Sequence, residues 1–285
     1  MKKFILLFIV VLVQQISIDK LVADTKDCAN VFLYKDESHL NADGKSFQRI
    51  KLTAPTRLEI PRIAPGETII SHTGYSLVYS ETHEQAKWVA YKLTKAKTNS
   101  IVKRSNKFIS DPLVKSGTAS NKDYAGYGYD KGHLAPAADM SWSSTTMAES
   151  FYYSNMSPQV PGFNRGVWKR LEELVRSWAI VNEDIYVVTG PVLTNGLQSI
   201  GPDKVSVPAY YYKVILDYTE PGIKGIGFIL PNKGSRETLQ NYAVTIDSVE
   251  KFTGIDFFPA LPDDQETKIE RTFCLKCWTW KNSQN

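Results

Sequence analysis

From Ile60 onward the chain is built of short apolar runs broken by polar turns, and that texture predicts more strands than helices. Residues 69–79 and 86–93 are β-rich runs on either side of a polar turn, the pattern of a hairpin or meander. Residues 185–191, 210–216 and 226–230 predict three more strands. The clearest helix covers residues 164–178, where Trp168, Leu171, Val175 and Trp178 recur three and four apart and share one stripe. A second helix is predicted over 144–153, with Ser144 and Thr145 available as caps, and a third over 247–252, closed by Gly254. Strands and helices interleave without a βαβ rhythm, which predicts a mixed, largely antiparallel α+β fold.

The first sixty residues read differently. Lys2 and Lys3 precede an apolar run over 4–13, too short to span a bilayer but of the length found in a secretory leader. Cleavage after Ala23 is predicted, although Leu21 is large for the minus-three position; a retained membrane anchor is the alternative. A lipoprotein reading through Cys28 is weak, because Thr25, Lys26 and Asp27 are polar. Residues 24–60 form an N-terminal extension without clear periodicity, and residues 61–285 form one domain. The predicted location is secreted or periplasmic, with no stable membrane association after cleavage. In that compartment one disulfide tying the chain ends together is expected among Cys28, Cys274 and Cys277, with the pairing open.

Composition changes the picture little. With 42% apolar and 22% charged residues, 285 residues can build a sizeable core. The net charge of +4, about +2 without the leader, gives no bulk basic field. A polyanionic partner would have to meet a local patch.

The candidate chemistry lies in Tyr129-Asp130-Lys131-Gly132-His133, answered by Ser154-Asn155-Met156-Ser157-Pro158-Gln159 and then Asn164. His133 stands beside an acid, a base and a glycine, at what reads as a strand end or tight loop, and can take a proton from water near neutral pH. His39, His72 and His83 lack comparable company, and no HxH or HExxH pattern offers a zinc site. On a helical wheel Asn164 falls on the inward stripe with Trp168. There it is either the cap of the helix or an oxygen ligand for a hard cation. Glu172 lies about two turns on, off the apolar stripe.

This ordered set resembles the DNA/RNA non-specific endonuclease family, whose members carry a ββα-metal (His-Me) finger. The resemblance covers about residues 70–262 and includes the run 88–91, Thr189-Gly190-Pro191, and Leu171-Glu172. Its specific part is spacing: nine residues from Asn155 to Asn164 and eight more to Glu172. The resemblance implies DNA and RNA as substrates, Mg²⁺ or Mn²⁺ as cofactor, and products with 5′-phosphate ends. It implies that His133 is the general base and Asn164 the sole direct protein ligand of the metal. Glu172 would hold a metal-bound water, Asn155 would orient the histidine or the site water, and Arg104 would steady the charged phosphorane. Asp130, Lys131, Arg165 and Lys169 would meet the substrate, with Lys103, Lys107 and Arg170 as further basic flank.

Two letters depart from the family pattern. Lys131 replaces the usual arginine, giving a point charge in place of a planar fork, and Phe151 stands where some members carry a further asparagine. No zinc-finger, RRM or helix-turn-helix signature accompanies the set, in keeping with sequence-tolerant phosphate contacts. Two rival readings remain: a phosphodiesterase of small nucleotides on the same centre, and a non-catalytic extracellular nucleic-acid-binding protein.

Overall fold

The computed structural model describes residues 50–51, 53–220 and 222–280. The expected leader and Cys28 fall outside them. Runs rich in β-branched and aromatic residues form strands, because such side chains fit a pleated, buried surface. In chain order these are β1 (Ile69–Ser71), β2 (Ser76–Ser80), β3 (Gln85–Thr94), β4 (Asp130–His133), β5 (Met156–Gln159), β6 (Asp184–Pro191), β7 (Tyr210–Asp217), β8 (Lys224–Pro231) and β9 (Ala243–Val244). The helices are α1 (Asn121–Tyr124), α2 (Ser144–Glu149), α3 (Lys169–Asn182), α4 (Ile246–Thr253) and α5 (Asp263–Arg271).

Seven strands make one sheet in the spatial order β9-β8-β7-β6-β3-β2-β1, every pair antiparallel. Both faces are covered, and β7 explains how. Tyr211 and Ile215 enter a core with Trp168, Leu171, Val175 and Trp178, while Tyr212, Val214 and Leu216 enter a second core with Ile246, Val249 and Ile269. Two buried faces are also why β6 and β7 read as near-continuous apolar runs rather than as alternation.

The α+β expectation is met, with corrections in detail. The hairpin or meander expected there is a three-strand meander, β1 to β3. The helix expected over 144–153 is capped by Ser143, whose hydroxyl accepts from the Thr146 N–H, and stops at Glu149. The chain leaves it there because Phe151 and Tyr153 bond the backbone of Ile109 instead. The helix expected from Asn164 starts as a wide π-type turn, Phe163–Trp168, kinked at Gly166 (φ −112°, ψ −107°). Gly254, at φ +73°, closes α4 as expected. Helix α5 was not predicted: only Ile269 is buried in it, so its sequence carries no apolar period.

Of the expectations about the chain ends, that of a disulfide joining them changes. Residues Ile50–Lys51 of the extension pair antiparallel with Thr219–Glu220, and Leu58 and Ile60 are buried in the second core. The disulfide joins Cys274 to Cys277, not the chain ends; their Cα atoms lie 5.3 Å apart, the ordinary separation for such a bond. Trp278, next in the chain, packs on Trp178 of α3 with ring centroids 4.3 Å apart. No helix among the described residues is long and apolar enough to cross a membrane.

Candidate active site

The site residues gather on a unit made of β4, β5, the π-type turn and α3. β4 and β5 pair antiparallel with Asp130 opposite Gln159 and His133 opposite Met156. Gly132 is required by close approach, since a Cβ at this position would collide with the buried Gln159 amide. Gly132→Ala is therefore expected to destabilise the protein by about 1–3 kcal/mol, read by denaturant unfolding, and to lower activity by displacing His133.

His133 is 7% exposed, and its Nε2 is buried with no hydrogen-bond partner among the described residues. Its ring stands edge-on to Phe151, centroids 4.7 Å apart, with Phe108 at 5.9 Å. Burial, reinforced by the Arg104 charge, pushes the imidazole down to about 3 from its ordinary 6.5. It is therefore neutral at physiological pH. Arg104 lies over the same Phe151 ring at 5.0 Å and donates Nε–H to Asn106. The Lys131 ammonium sits 4.2 Å over Phe108 and donates to the Asn121 side chain at 2.8 Å.

Asn164 is half-buried and does not join the inward stripe; the π-type turn and the Gly166 kink rotate it out of phase with Trp168 and Leu171. Its Nδ2 donates to Asp130 Oδ2 at 2.9 Å, and Oδ1 accepts nothing among the described residues. Asp130 thus fixes which end of the amide faces away. Asp130 is itself engaged by Arg165, through Nε at 2.8 Å and Nη2 at 2.6 Å. Both Asp130 oxygens, expected to meet the substrate, are here engaged by Asn164 and Arg165. Arg165 is 72% and Lys169 63% exposed, and Lys169 lies 3.7 Å from Glu173. Arg170 is committed to the carbonyls of Ser235 and Glu237.

Glu172 opens a network the sequence reading missed. Desolvation pushes its carboxyl up to about 7, opposed by Lys213, Arg176 and Arg104 and reinforced by Asp139. Arg176 donates to Asp139 at 2.8 Å, and Tyr91 donates to the other Asp139 oxygen at 2.8 Å. Lys213 is fully buried with its ammonium 4.7 Å over Trp168. Two signals were available: Arg176 follows Glu172 by one turn, and a lysine inside an apolar strand is unusual.

Asn155 is fully buried, and its side-chain hydrogen bonds go to backbone rather than to the imidazole. Its Oδ1 accepts from the Ala135 N–H at 2.8 Å, and its Nδ2 donates to the carbonyls of Ala135 and Ser150. It staples the chain two residues past His133. Of the two expected roles, orienting the histidine or the site water, a direct hydrogen bond to the histidine is not among these contacts.

The donor set fits a hard divalent cation: an oriented amide oxygen at Asn164, and a desolvated carboxyl at Glu172 that a nearby cation would favour in its charged form. So few protein oxygens suit an ion that keeps several waters. The two acidic clusters among the described residues, Asp247/Glu250/Glu270 and Asp256/Glu266/Glu270, lie on and beside α4 and α5, outside this unit.

Residues 59–264 match the family model of DNA/RNA non-specific endonucleases. The chain is 37% identical to the mitochondrial nuclease EXOG of Danio rerio over 211 residues, 68% of this chain and 62% of that protein. It is 35% identical to the mitochondrial endonuclease G of Bos taurus over 66% of this chain and 68% of that protein. It is 38% identical to nuclease C1 of Cunninghamella echinulata var. echinulata over 67% of this chain and 83% of that protein. A crystal structure of an EndoG/EndoGI complex matches with a TM-score of 0.65 and 32% identity, covering 69% of this chain and 88% of that one. The matched part spans 56–62% of the length of four vertebrate EXOG nucleases. The mitochondrial EXOG and endonuclease G relatives overturn the expectation of a secreted or periplasmic location. The site's spacing, its ββα geometry and these matches together place the chain in the DNA/RNA non-specific endonuclease family.

Proposed function

We propose that this protein is a divalent-metal-dependent endonuclease that hydrolyses phosphodiester bonds of DNA and RNA without sequence selectivity, leaving 5′-phosphate ends. The observation that carries the reading is the presence, on one ββα unit, of a buried imidazole at His133 whose Nε2 has no partner among the described residues and an oriented amide oxygen at Asn164. His133 takes a proton from the attacking water as general base. Asn164 would hold Mg²⁺, or Mn²⁺ in its place, directly, and Glu172 would hold it through water. When bound, such an ion would supply Lewis-acid polarisation of the scissile phosphate and a counter-charge for the departing 3′ oxygen. Arg104 offsets charge on the non-bridging oxygens, and Lys131 meets a flanking phosphate as a point charge. Arg165 and Lys169 remain exposed for backbone phosphates.

Plasmid DNA, RNA and a small aryl phosphodiester incubated with Mg²⁺ or with EDTA test this reading. Both polymers are expected to be cut with Mg²⁺ and neither with EDTA. Failure to cut either polymer with Mg²⁺ would sink the nuclease reading, and turnover confined to the small diester would favour a phosphodiesterase. Salt gives an independent check. For about three phosphate contacts, affinity for long DNA should fall about 40-fold between roughly 50 and 200 mM salt, read as a rise in KM. A flat salt response would argue against backbone binding.

A further inference from the structure

His72 and Asp111 form a buried pair that the chemistry above does not use. Their side chains are 3% and 0% exposed, and His72 Nε2 lies 2.8 Å from Asp111 Oδ2. The Ser154 hydroxyl donates to the same Oδ2 at 2.5 Å, and the Leu113 N–H donates to Oδ1 at 2.9 Å. The His72 ring is wedged between Tyr75 and Tyr152, with centroids at 4.9 and 5.1 Å. Its backbone N–H donates to the Tyr75 carbonyl, which holds it in the turn between β1 and β2.

Three parts of the site converge on this pair. The segment ending at Asp111 is clamped to the floor of the site: the Ile109 N–H donates to the Phe151 carbonyl, and the Tyr153 N–H donates to the Ile109 carbonyl. Phe108, one residue earlier, packs against Phe151 with centroids 5.0 Å apart and faces His133. The loop that carries Arg104 is tied down at its start, where Ile101 and Val102 donate to the Ser141 carbonyl, and at its far end by the Asp111 node. On the other side Ser154 leads directly into Asn155, the staple behind His133. Loosening Asp111 would therefore move Arg104, Phe108 and the Phe151 floor relative to the imidazole. Misplacement by about 1 Å costs on the order of 100-fold in rate.

We propose that His72 and Asp111 are positioning residues for phosphodiester cleavage, fixing where Arg104 and the Phe108–Phe151 wall stand against His133. The inference rests on the nuclease reading above. The experiment measures kcat and KM on a DNA oligonucleotide with Mg²⁺ for wild type, His72→Ala, His72→Gln, Arg104→Ala and the His72→Ala/Arg104→Ala double variant, well below each melting temperature. His72→Ala is expected to lower kcat about 10- to 100-fold with KM changed less than about threefold. His72→Gln, which keeps a donor for Asp111, is expected to restore most of the rate. In the double variant the loss should fall short of the product of the two single losses, because part of the His72 effect acts through the Arg104 guanidinium. A general loss of stability would give neither the rescue nor the non-additivity. A wild-type kcat in His72→Ala, or losses that multiply in full with Arg104→Ala, overturns the inference while leaving the nuclease reading intact. A wild type that cuts no polymer removes both. If His72→Ala does not fold, Ser154→Ala takes its place under the same expected and overturning results.

Discussion

Replacing His133 by alanine is expected to lower kcat for DNA and RNA by about 100- to 10,000-fold, the range for loss of a general base. KM should change far less, since no substrate contact is assigned to the ring. Steady-state assays on folded protein, checked by circular dichroism, measure it; wild-type turnover by His133→Ala would refute the assigned base. The same substitution has a second consequence. The folded imidazole is held near 3, against an ordinary 6.5, by burial and by Arg104. Between those values the unfolded chain binds the extra proton and the native chain does not, so wild-type stability is lost as pH falls through that window. The slope from this one group is about 1.4 kcal/mol per pH unit. His133→Ala removes it, and acid unfolding of the variant should begin at lower pH than in the wild type.

Asn164→Ala carries the second large effect. Loss of the proposed direct ligand is expected to lower kcat/KM at least about 100-fold at fixed Mg²⁺, and to weaken divalent binding by more than about tenfold. Calorimetric titration with Mn²⁺ reads the affinity without relying on turnover. Asn164→Asp is the informative companion. It supplies a better oxygen donor, yet places a second carboxylate against Asp130 Oδ2, now 2.9 Å from the Asn164 amide nitrogen. Like charges at that separation repel, so full rescue is not expected. Unchanged metal affinity in Asn164→Ala would remove this residue from the centre.

These expectations show which parts of the site were legible in the residues alone. The apolar stripe over Trp168, Leu171, Val175 and Trp178 is a local property of one helix, and the core confirms it. Gly254 as a helix stop is equally local. The position of Asn164 was not, because a helical wheel assumes a constant turn per residue and the π-type turn at Phe163–Trp168 breaks it. Asn155 was assigned toward the histidine by resemblance, but only the folded chain reveals that its amide grips Ala135 and Ser150.

What the sequence determined by itself was the order and spacing of His133, Asn155, Asn164 and Glu172, and the strand and helix periods that carry them. Backbone propensity and side-chain pattern act over a few residues, so a linear reading reaches them. Tertiary structure alone decided the partners: His72 with Asp111, 39 residues on, Arg176 with Asp139, 37 residues back, and Lys213 beneath Trp168. Those pairings follow from which faces the antiparallel sheet turns toward α3 and from burial that forces each charge to find a counterpart. Periodicity records that a charge is out of place, as at Lys213, but only packing says what compensates it.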